Sequence, residues 1–132
     1  MINQQFVELQ NYLETEKGLG AELQRLSNGS HLVTIKGISI GGGWNRTVVD
    51  VLFLAPPGYP AAKPDCFWVS PQIRLANGAL PQNANDGTQI PGGPTPGRPL
   101  TWFSWHLQTW DPNRDKLVTF YSVIRKRLSP AR

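Results

Sequence analysis

Sulfur is nearly absent from this chain of 132 residues, which has one cysteine, Cys66, and one methionine. A single cysteine leaves neither an intramolecular disulfide nor a cysteine-based zinc site. Histidine is almost as scarce. Of the two, His31 falls in an expected strand with no acidic or cysteine company, which points to a structural or exposed role. No cluster has zinc-ligand spacing, so neither a metal nor a cofactor is expected. Long apolar runs are also missing. The segment Met1 to Leu13 carries Glu8 and several polar residues, and so reads as neither a signal peptide nor a membrane span. The expected compartment is the cytoplasm. There the sequons Asn28-Gly29-Ser30 and Asn45-Arg46-Thr47 would never meet glycosylation machinery.

Acidic residues are outnumbered, leaving a net charge of +4. The only dense basic cluster, Arg125-Lys126-Arg127, closes the last expected helix, where cations complement the helix dipole. A solvated helix end therefore accounts for it better than a nucleic-acid patch. With 39% hydrophobic and 17% charged residues, the composition is globular and the length suits one domain spanning 1–132.

Phe6, Leu9 and Leu13 recur at helical spacing, with Val7 and Tyr12 widening the stripe, and Gly18 and Gly20 end the helix. Extended runs over 22–26 and 31–40 flank Asn28-Gly29, a tight-turn pair, and Gly41-Gly42-Gly43 breaks the second run. Residues 48–54 form the most apolar strand, interrupted only by Asp50 and stopped by Pro56-Pro57-Gly58-Tyr59-Pro60. A fourth strand is expected over 65–69, with Cys66 inside it on the face of Trp68. From 76 to 99 the chain is rich in proline and glycine, ends in Thr-Pro-Gly-Arg-Pro, and reads as a long surface loop. Trp102, Phe103, Trp105 and Trp110 form the densest aromatic cluster, and most of the tryptophans are expected in the core. Asp111-Pro112 is expected to start the closing helix, with Leu117, Phe120, Ile124 and Leu128 as its apolar stripe and Ser129-Pro130 as its end. The class is α+β: an N-terminal helix, a four-stranded antiparallel meander, a long Pro/Gly-rich loop and a C-terminal helix.

That order resembles the ubiquitin-conjugating enzymes, whose strand runs into a Tyr-Pro turn and a proline-ended spacer before the next strand. Here the matching residues are Leu54 to Pro60, then Lys63-Pro64, then Cys66-Phe67-Trp68, with Trp110-Asp111-Pro112 downstream. The closer resemblance is to the bacterial branch called prokaryotic family E. It rests on Gly58-Tyr59-Pro60, Asp65, Phe67-Trp68, Trp102, Ser104, His106, Trp110, Pro112, Asp115 and Leu117, and it covers nearly the whole chain. The resemblance implies a ubiquitin-conjugating (UBC-like) fold and three partners: a ubiquitin-like protein, an E1-like activating enzyme and a JAB-type metallopeptidase.

Such enzymes hold the carrier's C-terminal glycine as a thioester, because a thiol ionises near neutral pH and its ester stays reactive toward amines. The family's catalytic window falls on Thr101-Trp102-Phe103-Ser104-Trp105-His106, which contains no cysteine. Cys66 lies where the superfamily places a core side chain. The candidate catalytic residues are therefore Ser104, as acyl acceptor, and His106, two residues on and on the same side of an extended segment, as general base. The product would be a serine oxyester. No residue to orient the imidazole is evident, with Asp111 and Asp115 candidates by proximity alone. The competing expectation is a catalytically inactive adaptor that binds a ubiquitin-like protein or the activating enzyme.

Overall fold

The computed structural model describes residues 2–93 and 99–132, apart from the side chains of Glu16 and Lys17. In chain order its elements are α1 (Ile2–Lys17), β1 (Gly20–Arg25), β2 (His31–Ser39), β3 (Val48–Ala55), β4 (Phe67–Ser70), β5 (Ala84–Asn85), β6 (Thr101–Phe103) and α2 (Leu117–Leu128). All the strands join one antiparallel sheet of order β1-β2-β3-β4-β6-β5. The sheet thus has six strands where four were expected. The two short additions come from inside the Pro/Gly-rich segment and from the expected catalytic window. Residues 94–98, including most of the Thr-Pro-Gly-Arg-Pro run, lie outside the described residues.

Local chemistry explains the strand boundaries. Between β1 and β2, Asn28 Oδ1 accepts from Ser30 N at 2.9 Å, and Gly29 takes the left-handed φ of +88° that the turn requires. In β2 the register shifts between Ile35 and Ile38. Gly37 sits in this bulge at φ +75°, and its N–H donates to Asp50 Oδ1 at 3.0 Å. The one acidic residue in the apolar β3 thus satisfies a donor that the ladder leaves behind.

The sheet buries both faces. Val49, Val51, Phe53, Phe67, Val69 and Phe103 point to the helices, where they meet Leu9 and Leu13 of α1 and Leu117, Phe120, Ile124 and Leu128 of α2. Val7 and Tyr12, expected to widen the α1 stripe, are exposed. On the other face Leu26, Leu32, Leu52, Trp68 and Leu100 form a smaller cluster covered in part by Ile90 of the long segment. Trp68 Nε1 donates to the Thr88 carbonyl at 2.9 Å, tying that cover down. Trp44 and Trp68 are core residues, while Trp102, Trp105 and Trp110 are half-buried.

Three expectations are corrected at this level. The closing helix starts at Leu117 with Lys116 extended before it, not at Asp111-Pro112. Asp111 Oδ1 accepts from Asn113 N at 2.9 Å and Asp115 Oδ2 from Asp111 N at 2.7 Å. These bonds close a separate turn upstream of the helix. Cys66 precedes β4 rather than lying within it. The basic cluster, finally, is a solvated helix end only in part: Lys126 is exposed and Arg125 half-buried, but Arg127 is not solvated. Arg127 is 1% exposed, with its guanidinium 4.9 Å from the Phe103 ring centroid and 5.3 Å from that of Trp105. Its Nη2 donates to the carbonyls of Gln82 and Arg132 at 2.7 and 3.0 Å. Burial, helped by the charge of Arg132, pushes its pKa down to about 10. Aromatic faces and two acceptors on Nη2 offset part of the cost of this burial, while Nε and Nη1 are buried without a hydrogen-bond partner.

Candidate active site

β4 and β6 are antiparallel, with Phe67 opposite Phe103 and Val69 opposite Thr101. The residues before β4 and those after β6 therefore emerge at the same end of the sheet. This brings Asp65 and Cys66 beside Ser104 and His106. The two strand ends stay joined past the ladder, because Cys66 N donates to the Trp105 carbonyl at 3.0 Å. Behind them the Phe67 and Phe103 rings stack, with centroids 4.8 Å apart.

Ser104 Oγ and His106 Nε2 are 3.3 Å apart, and His106 Nδ1 is 2.7 Å from Asp65 Oδ1. The expected pair is thus brought together, and the group that orients the imidazole is Asp65. Asp111 and Asp115 are occupied with their own turn. A carboxylate only accepts, so in the neutral ring the Asp65 contact favours the tautomer with its proton on Nδ1 and the Nε2 lone pair toward the serine. Serine, imidazole and carboxylate then stand in the order that makes a hydroxyl nucleophilic in unrelated hydrolases. Both ends are open to solvent, with the His106 and Asp65 side chains 60% and 47% exposed. Ser104 itself is half-buried.

The long segment also takes part. Ser104 N donates to the Asn83 carbonyl at 2.7 Å, and Ala84 pairs with Phe103. Residues 83–85 thus hold the backbone of Ser104 from the side away from β4. Lower in β6, Thr101 Oγ1 accepts from Ile73 N at 3.0 Å and donates to Asp86 Oδ1 at 3.1 Å, while Asp86 is ion-paired with Arg74. The hydrogen bond from Arg74 holds the Asp86 carboxyl below its ordinary value, and the bond from Thr101 acts in the same direction.

Cys66 has a left-handed φ of +61°, a conformation that costs a non-glycine residue about 1–3 kcal/mol. This kink takes it out of the alternation that would have placed it beside Trp68. Its sulfur lies instead 4.0 Å from His106 Nδ1. The thiol is buried, and that burial pushes its pKa up, opposed by the bond to the Trp105 backbone and reinforced by the Asp65 carboxylate. With Nδ1 already donating to Asp65, the imidazole has no lone pair left on that side to take the thiol proton. Cys66 is therefore poorly placed as a nucleophile even though it touches the site.

Asp65 belongs to the family-like residue pattern but carried no assigned role. Only the pairing of β4 with β6 reveals it, because it lies 41 residues from His106. Among the described residues, no helix is long and apolar enough to cross a membrane.

The sequence model of the family described as prokaryotic E2 family E matches residues 8–131. Comparison with curated proteins and with solved structures gives no match.

Proposed function

Because the chain belongs to prokaryotic E2 family E, we propose that it accepts a ubiquitin-like protein from an E1-like activating enzyme and carries it as an oxyester on Ser104. The observation that supports this reading is the Asp65–His106–Ser104 chain of contacts at 2.7 and 3.3 Å. In the first step Ser104 Oγ attacks the thioester carbonyl of the carrier's C-terminal residue, and its proton passes to His106 Nε2. The bond to the activating enzyme's sulfur breaks, and the departing thiolate takes that proton from the imidazolium. Asp65 keeps the ring in one tautomer and stabilises its transient positive charge. In the second step His106 again receives a proton, now from the attacking amine, and returns it to the Ser104 alkoxide as an amide forms. A JAB-type metallopeptidase would act downstream, on the conjugates.

The experiment combines purified protein, its candidate ubiquitin-like partner, the activating enzyme and ATP, with intact mass spectrometry as the readout. The expected adduct survives thiol reductant, is cleaved by mild base, and is absent from Ser104→Ala but present in Cys66→Ala. A reductant-sensitive adduct lost in Cys66→Ala would transfer the chemistry to sulfur. No adduct from any variant, with the activating enzyme charged and the partner bound, would leave the adaptor reading in its place.

A further inference from the structure

Asp65, Cys66 and His106 each offer one ligand atom, and these three atoms lie within 4.8 Å of one another. We propose that they form a zinc-type site of three protein ligands with an open fourth position, and that filling it switches off the general base at Ser104. A thiolate, an imidazole and a carboxylate are a donor set that suits Zn²⁺ and not the oxygen-seeking Mg²⁺ or Ca²⁺. In a tetrahedral zinc site a nitrogen and an oxygen ligand stand about 3.3 Å apart, and a sulfur and a nitrogen about 3.5 Å. Here the corresponding separations are 2.7 and 4.0 Å, so one must widen and the other close by about half an ångström, and the sulfur and carboxylate oxygen, within 4.8 Å of each other, must close toward about 3.5 Å. The exposed Asp65 and His106 side chains can make that adjustment by small rotations, while the buried Cys66 stays in place. The left-handed kink at Cys66 lets two consecutive residues address the same ring nitrogen. The scarcity of cysteine argued against zinc along the linear sequence, but the third ligand comes from 40 residues away.

The coupling follows from the imidazole having a single proton when neutral. As a metal ligand, Nδ1 must present its lone pair, so the ring proton moves to Nε2, the atom that would otherwise accept the Ser104 proton. Cys66 releases its thiol proton to water as the sulfur–metal bond forms. Asp65 exchanges its hydrogen bond for a metal bond, and no electron is transferred. The same ring cannot hold the metal and activate the serine at once. This switch rests on the Ser104–His106 reading; the binding of metal does not.

The test has two arms. In the first, Co²⁺ is titrated into chelator-stripped wild-type protein, Cys66→Ala and His106→Ala. Wild type is expected to show a thiolate-to-cobalt charge-transfer band in the near ultraviolet and four-coordinate ligand-field bands in the visible, both bleached by Zn²⁺. Cys66→Ala loses the charge-transfer band, and each variant binds Zn²⁺ at least about tenfold more weakly against a chromophoric chelator. In the second arm, Zn²⁺ is added to the mass-spectrometric transfer assay. It should suppress the wild-type adduct and spare that of Cys66→Ala, which also controls for effects on the activating enzyme. Wild-type protein without a charge-transfer band overturns the site, whatever the transfer assay shows. Bands accompanied by a zinc-insensitive adduct overturn the switch. An adduct missing from chelator-treated wild type overturns the Ser104 reading and the switch with it, while the cobalt titration still decides the site.

Discussion

The imidazole of His106 stands between two claims on its nitrogens, and single side chains decide which one prevails. Asp65 accepts from Nδ1 at 2.7 Å and leaves Nε2 facing Ser104. Asp65→Asn removes the charge and allows the amide to donate, which favours the tautomer with its proton on Nε2. In chelator-treated samples this variant is expected to form the oxyester at least about tenfold more slowly than wild type, a threshold set below the usual range of general-base effects because the pair is solvent-exposed. Its melting temperature and its affinity for the ubiquitin-like partner should stay unchanged. A full wild-type rate measured by quenched mass spectrometry would remove Asp65 from the mechanism. Cys66 illustrates the opposite case. Burial pushes its thiol pKa up, so its nearness to the ring does not make it reactive.

At the scale of elements, the site depends on β6, a strand of three residues that could not hold its own register. It is clamped by β4 on one side, by β5 on the other, and from below by the Asp86–Thr101 hydrogen bond. Arg74 depresses the Asp86 pKa, so the folded state binds this proton less readily than the unfolded chain does. The linked stability is complete above the ordinary carboxyl value of 3.8 and is lost as pH falls through the lower folded value. Asp86→Asn is therefore expected to cost about 1–2 kcal/mol near pH 7, reduced for partial exposure, and the difference should shrink below pH 3.8. Urea denaturation of both proteins at neutral and acid pH measures this. An equal gap at the two pH values would show that the carboxylate charge does not brace β6.

Across the whole molecule, stability is unevenly distributed. The main core joins α1, α2 and the centre of the sheet, whereas the second face carries a small cluster under a cover that enters it through Ile90. Buried contacts of that density suit one cooperative transition for the core and local opening for the cover. Hydrogen exchange should find the amides of β2 and β3 protected up to the global unfolding free energy, and those of residues 86–93 exchanging through lower-energy openings. Equal protection in both regions would make the cover part of the cooperative core. Two separate unfolding transitions would divide the chain, against the expectation of one domain over 1–132.

Periodicity, turn chemistry and residue order already determined much of this protein. The stripe Leu117, Phe120, Ile124 and Leu128, the Asn28-Gly29 turn and the apolar run 48–54 each act locally, so the α+β class and the family could be read from one dimension. The contact of Ser104 with His106 at 3.3 Å was legible from their spacing of two residues, whereas their chemical role is not read from that spacing. The tertiary structure alone decided the rest. The closing helix starts five residues after Pro112 because side-chain bonds of Asp111 and Asp115 close a turn first. Arg127 is buried because Phe103 and Trp105, far away in sequence, offer their faces. Asp65 and Cys66 reach His106 only because β4 and β6 pair antiparallel and the chain kinks at Cys66. Such contacts depend on strand pairing and backbone handedness over some 40 residues, which no local pattern encodes.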